Sequence, residues 1–279
     1  RPTWTRQDDA MDAFAQATAL ESLPDGGFAW EVPDGWQQGR GAWGGLVVGA
    51  LTRALTLSEP DANRSVRSIS VQMAAPAVVG PHHVAVTSLR RGSAVSTWSA
   101  VATDEQGRLV ASLVGVLGAP RVTAEGIDFA DWGTLTPPEV PGHADVARVD
   151  LGPPLAPVFL SRMDVRPLSG MPMSGEAAEC VGWVDYGERT DRTAESLIAL
   201  VDAWWPASFP RMVTSHPIAT INFTAQLLVD PQSVPVDAPL LSHSFVSGAT
   251  DGFTSETRRL WTADGRLAVD NLQSIVFIA

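Results

Sequence analysis

The chain has 279 residues, 45% hydrophobic and 18% charged, which is ample for two ordinary cores and too apolar for global disorder. Its net charge of −12 excludes nucleic acid as the main partner, because a phosphate backbone requires a basic surface. It contains no lysine and one cysteine, which excludes Schiff-base and P-loop lysine chemistry, an internal disulfide and a multi-cysteine metal site.

A single small phosphorylated ligand remains compatible with this charge, since it needs only a local group of arginines. No apolar run approaches the roughly 18–20 residues that a membrane span requires, and no N-terminal segment reads as a secretory signal, so a cytoplasmic location is expected. Cys180 lies in an apolar run with Ala177, Ala178 and Val181, the setting of a buried structural thiol rather than a nucleophile.

In chain order, GGLVVGALTRAL (Gly44 to Leu55) predicts the first helix, and VRSISVQM (Val66 to Met73) a strand after it. His82 and His83 follow Pro81 in a segment that reads as loop. An alternating stretch from Ser93 to Thr103, a polar turn at Asp104-Glu105-Gln106 and the apolar GRLVASLVGVL (residues 107–117) predict a β-hairpin. Ala119 to Pro157 is rich in proline and glycine and reads as a linker crossing the surface.

The same plan then returns. Thr193 to Phe209 predicts a second helix, loosened at its end by Pro206, with Thr193 and Glu195 suited to its start but without a full capping box. Ile218 to Ala225 alternates with period two. Phe253 to Trp261, a turn at Thr262-Ala263-Asp264 and GRLAVDNLQSIVF (residues 265–277) repeat the hairpin. An apolar helix must bury most of its surface, and a curved antiparallel sheet around it does so. The expected fold class is therefore α+β, a double hotdog: an N-terminal hotdog domain over residues 1–118, a linker over 119–157 and a C-terminal hotdog domain over 158–279.

GAWGGLVVGAL (Gly41 to Leu51), LRRGSAVSTWSAVA (Leu89 to Ala102), LVDAWWPASF (Leu200 to Phe209), ATINFTAQLL (Ala219 to Leu228) and VDNLQSIVF (Val269 to Phe277) resemble, in order and spacing, the TesB-like acyl-CoA thioesterases. That resemblance implies hydrolysis of an acyl-CoA by a water held between an Asp, a Thr and a Gln, which fall here on Asp202, Thr220 and Gln273. By the repeat, Ser68 stands in the first half where Thr220 does and Gly115 where Gln273 does, so one active site per chain is expected. Asn222 departs from the acidic residue frequent in the family, and Trp204, Trp205 and Phe209 suggest a differently shaped acyl tunnel.

Gly44 and Gly45, at the head of the first helix, could offer bare N–H groups to the thioester oxygen, or simply let helix and sheet pack closely. Arg90, Arg91, Arg258 and Arg259 are candidates for the CoA phosphates, although arginines on strands and turns are ordinarily solvated. No metal and no other cofactor is expected, because no His/Asp/Glu cluster has ligand spacing. Exposed sheet edges make a homo-oligomer an expectation. A non-catalytic acyl-CoA binding protein and a hotdog hydratase or dehydratase are the alternatives. The latter is disfavoured by the absence of histidine from both helices, and a serine hydrolase by the lack of G-x-S-x-G, since Ser174 lies four residues beyond Gly170.

Overall fold

The computed structural model describes residues 11–121, 126, 129–214 and 216–278. The first half runs α1 (Ala13–Ala17), β1 (Glu21–Ser22), β2 (Phe28–Val32), β3 (Gln37–Gln38), β4 (Gly41–Ala42), α2 (Gly44–Ser58), β5 (Ser65–Met73), β6 (Gly80–Arg91), β7 (Val95–Asp104) and β8 (Leu109–Gly118). The second half runs β9 (Met163–Ser169), β10 (Glu179–Tyr186), α3 (Ala194–Leu200), β11 (Ile218–Leu227), β12 (Leu240–Thr250), β13 (Phe253–Trp261) and β14 (Leu267–Phe277). Apart from the small β3–β4 hairpin, the strands form one antiparallel sheet in the order β1-β2-β6-β7-β8-β5-β11-β14-β13-β12-β10-β9. Both hairpins read from the sequence are present, as β7–β8 and β13–β14. His82 and His83 lie within β6 rather than in a loop.

The halves join through β5 and β11, where Ser70 faces Thr224 and Ile69 faces Ala225, making a continuous sheet from two repeats. The repeat extends to a bulge in each of these strands. β5 slips its pairing with β8 between Val66 and Ser68, and β11 slips its pairing with β14 between Thr220 and Asn222. Matching the bulges pairs Gly115 with Gln273, as expected from the sequence. It also corrects one position: Val66, not Ser68, stands where Thr220 does, because strands of alternating residues look alike when slid by two, and only the pairing with β8 and β14 sets the register. The first half carries no polar counterpart at either place. A Cβ at Gly115 would strike Leu55 of α2, so an apolar side chain fills that space.

α2 is apolar and buried over Gly45 to Leu51 because it is enclosed there, by strands β5–β8 on one side and α3 on the other, and its last turn, with Thr56 and Leu57, reaches solvent. Gly45 makes room for α3 and for the Trp43 ring: a Cβ there would come within 2.6 Å of the Ala199 carbonyl oxygen and closer still to Trp43 Cζ2. Gly49, one turn on, makes room for α1, since a Cβ there would lie 2.8 Å from the Phe14 ring. The close packing is thus helix on helix rather than helix on sheet. At the other end of α2 the buried Glu59 carboxylate accepts from Ser96, from Trp98 Nε1 (3.0 Å) and from the Asp61 amide (3.0 Å), and pairs with Arg91 (3.1 Å). Burial opposes its ionisation, but these donors prevail and hold its pKa at about 2.

α3 is shorter than its sequence suggested, ending at Leu200, and it does open with a capping box. Thr193 Oγ1 accepts from the Ser196 amide (3.2 Å) while Ser196 Oγ accepts from the Thr193 amide (2.9 Å), a serine serving where glutamate or glutamine is usual. After Leu200 the chain tightens, with the amides of Asp202 and Ala203 bonding to Ala199 and Leu200. Asp202 therefore sits on a tight turn beyond the helix.

The linker lies on the second half. Val140 and Val146 pack on a small apolar cluster of Val181, Trp183, Leu241 and Trp261, and the Pro141 carbonyl accepts from Trp183 Nε1 (3.0 Å).

Gly45→Ala is expected to destabilise the protein, although alanine favours a helix by about 1 kcal/mol over glycine. The methyl meets the Ala199 carbonyl, a backbone group that cannot step aside, and overpacking of this kind costs about 1–3 kcal/mol. The urea midpoint reads the sign directly: a fall is expected, and a rise would mean that α2 and α3 can separate at no cost.

Candidate active site

At the junction of the halves a cleft of about 500 Å³ opens beside the head of α2. Gly44 and Val47 of α2, the β3–β4 turn and Met73 form its first-half wall; Asp202, Trp204 and the start of β11 form the other. Of the residues singled out by the resemblance, Asp202 and Thr220 line it, and Gln273, fully buried behind them, joins the two. Gln273 Nε2 donates to Asp202 Oδ1 at 2.9 Å, and Thr220 Oγ1 donates to Gln273 Oε1 at 3.1 Å. These two bonds fix which way the Gln273 amide points. Its second N–H goes to Asn271 Oδ1 (3.2 Å), and Asn271 is held in turn by donating to the Thr224 carbonyl (2.7 Å). Asn271 and Gln273 share the inward face of β14 by simple alternation.

Asp202 is held from both halves. Its carbonyl accepts from Trp43 Nε1 at 2.9 Å, and Trp43 is itself stacked on Phe159, with ring centroids 5.0 Å apart. Its Oδ1 also accepts from Arg258 Nη1 at 3.2 Å. Its Oδ2 faces the head of α2, where a Cβ on Gly44 would lie 2.8 Å from it. Burial raises the Asp202 pKa; Arg258, Gln273 and the Gly45 amide pull it only partly back.

Arg258 is not a surface group reaching for phosphate. It is buried, with Nε on Glu256 Oε1 at 2.6 Å and Nη1 on Asp202 and on the Trp204 carbonyl (3.1 Å). Burial works against its charge, but the Glu256 and Asp202 carboxylates outweigh that and raise its pKa. Arg259, the next residue, points to the opposite face of β13 and pairs with Asp270 (3.1 Å). Arg90 and Arg91 end β6, and Arg91 is paired with Glu59. None of these three lines the cleft, whereas Arg258 does. Arg40, at the tip of the β3–β4 turn, does line it.

Of the aromatic residues after Asp202, Trp204 lines the cleft, whereas Trp205 is buried and donates to the Gly170 carbonyl (2.7 Å). Asn222 donates weakly across to the Val71 carbonyl (3.4 Å), tying the two central strands. The sequence reading missed Asn271 and Glu256. Glu256 and Arg258, two apart on a strand, are legible in retrospect as charges sharing one face, but the inward direction of that face is not.

Models of two acyl-CoA thioesterase domains match the chain, the N-terminal domain over residues 32–118 and the C-terminal domain over residues 136–277. The chain belongs to the acyl-CoA thioesterase family. It is thus a thioester hydrolase, and acyl-CoA is the substrate class of its family. A search of curated proteins found no match.

Among solved structures, a hot dog fold protein of unknown function from Alicyclobacillus acidocaldarius superposes with a TM-score of 0.84 at 23% identity, over 97% of this chain and 99% of the other. A candidate thioesterase II from Thermobifida fusca gives 0.80 at 24% identity, over 96% and 98%. The acyl-CoA thioesterase II TesB2 of Mycobacterium marinum gives 0.72 at 16% identity, over 95% and 97%. At these identities the likeness is one of fold: this thioesterase has the hotdog architecture along its length. None of its helices among the described residues is long and apolar enough to cross a membrane.

Cys180 is buried at the back of the site, and burial pushes its thiol pKa up to about 12. Because the thiolate is the reactive form, the native thioesterase should resist a thiol reagent at pH 8 and react only once unfolded. Rapid labelling of the folded protein would show that the site opens at that strand.

Proposed function

We propose that this thioesterase hydrolyses acyl-CoA to a free carboxylic acid and CoA, with Asp202 as general base and Gln273 and Thr220 orienting the attacking water. The observation that carries this reading is the bonded chain Thr220–Gln273–Asp202, whose two ends line an open cleft. Water attacks the thioester carbonyl carbon and passes one proton to Asp202 Oδ2. The tetrahedral oxyanion is met by the Gly44 amide at the positive end of α2, since the Gly45 amide serves Asp202 and those of Leu46 and Val47 bond to the Trp43 carbonyl. The C–S bond then breaks, and the departing thiolate takes the proton back from Asp202.

Burial supports the role of Asp202, since a carboxylate with a raised pKa is a stronger base than an exposed one. The base must be ionised to act, so activity should be full above the raised Asp202 pKa and fall as pH drops through it. The working unit on this reading is the whole chain: residues 1–118 bring the helix head and residues 158–279 bring the acid, the Thr and the Gln. The first half has Leu55 and Gly115 in the corresponding space, which supports one site per chain.

Thiol release from a panel of acyl-CoAs, short to long and aromatic, tests this directly. Asp202→Asn should cut kcat by about 10²–10⁴-fold, the usual contribution of a general base, while the protein stays folded and binds acyl-CoA. Gln273→Ala and Thr220→Ala should each lower kcat more than they raise KM. Near-wild-type turnover in Asp202→Asn would remove the assignment. A change confined to KM in the other two would make them cleft wall rather than water holders.

A further inference from the structure

The pair Glu256–Arg258 is not among the residues that the hydrolytic reading uses, yet it is buried directly behind Asp202. Two carboxylates and one guanidinium meet there, Glu256 fully buried and Asp202 and Arg258 reaching only the cleft, an expensive arrangement unless each charge is bonded. Each is. Glu256 Oε1 takes Arg258 Nε at 2.6 Å, and Glu256 Oε2 takes the Ala207 amide at 2.8 Å. Arg258 Nη1 reaches both the Trp204 carbonyl at 3.1 Å and Asp202 Oδ1 at 3.2 Å. β13 thereby grips the 202–207 turn at three points, one of them the carboxylate itself.

We propose that Arg258, clamped by Glu256, is a positioning residue for Asp202: together with Gln273 it occupies Oδ1, leaving Oδ2 as the oxygen that meets the attacking water. A carboxylate oxygen has two lone pairs, and Oδ1 spends both, on Gln273 Nε2 and Arg258 Nη1. Oδ2 faces Gly44 at the cleft. This rests on Asp202 being the base. Glu256 does more than hold Arg258: it neutralises the guanidinium, so that Asp202 is anchored by a cation without being reduced to a weak base by an uncompensated one. Burial and Arg258 act on Asp202 in opposite senses, and on Glu256 likewise.

Among the described residues the groups facing Asp202 are few. β13 supplies Glu256 and Arg258, β14 the neutral Gln273 and Asn271, and the head of α2 amides and the neutral Trp43 indole, while Arg40 stands on the same cleft at the β3–β4 turn. From β10 the Cys180 thiol, with a pKa of about 12, stays neutral in the working range. Shifts in the acid limb of the pH profile therefore report on the Glu256–Arg258 pair.

The experiment is the pH profile of kcat/KM and kcat with one acyl-CoA for wild type, Glu256→Gln, Arg258→Met and Arg258→Lys. Glu256→Gln removes a negative neighbour, so Asp202 ionises more easily and the acid limb moves to lower pH. Arg258→Met removes the positive neighbour, so the limb moves to higher pH, and plateau kcat falls by about 10²-fold as the carboxylate loses its anchor. Arg258→Lys keeps the charge without the fork, so it returns the limb toward the wild-type position without restoring kcat. A pair that merely holds the fold together would lower the amount of active protein and leave the limb in place. An unmoved limb in the isosteric Glu256→Gln, or movement in the same direction in Glu256→Gln and Arg258→Met, overturns the proposal while leaving hydrolysis itself standing. Absence of turnover in the wild type overturns the hydrolytic reading and this proposal together.

Discussion

A carboxylate withdrawn from water at the meeting of two halves sets the terms for everything around it. Asp202 can be buried as an ion only if its charge is matched and its oxygens are bonded. The matching charge comes from Arg258, whose own burial needs Glu256; the bonds come from Gln273, the Gly45 amide and the Arg258 fork. These groups come from α2, β13 and β14, so the carboxylate cannot be satisfied until the elements of both halves have assembled. The site is in this sense a product of the complete fold.

The two repeats have divided their tasks. Both keep the helix, the bulged central strand and the hairpin, and the central pairing of β5 with β11 makes them one sheet. In the first half the place opposite the helix is glycine with Leu55 pressed against it, a dry contact that contributes packing. In the second half the same place is Gln273, in a polar network. The first half gives the second something else: the glycine-rich start of α2, where Gly45 admits α3 and Gly44 leaves room for the Asp202 carboxylate. Trp43 ties the two together through the Asp202 carbonyl. An intact site thus needs the small residues of one half and the polar residues of the other.

Much of this was legible in the residues. The duplicated helix–strand–hairpin plan follows from hydrophobic period and turn chemistry, which are local properties, and both hairpins lie where alternation placed them. The family motifs pointed to Asp202, Thr220 and Gln273, and the fold brings those three together. Local pattern was less dependable at the seams. The register of β5 against β8 put Val66, not Ser68, in the place of Thr220, a shift of two residues that period-two alternation conceals, and α3 stopped at Leu200, short of the apolar run that suggested it.

The arginines mark the boundary most clearly. Arg258 and Arg259 are adjacent and chemically identical, and in the sequence both read as candidates for phosphate. Strand alternation sends one inward to two carboxylates and the other outward to Asp270. The repeat, the element types and the residues able to do acid–base chemistry are readable from the residues alone, because period, turn propensity and functional groups are carried within short stretches of chain. Which face of each strand turns inward, which oxygen of Asp202 is left free and which cation stands behind it were decided only by the tertiary structure. Those outcomes depend on contacts between residues more than fifty positions apart, and on the energy of burying charge once those contacts have formed.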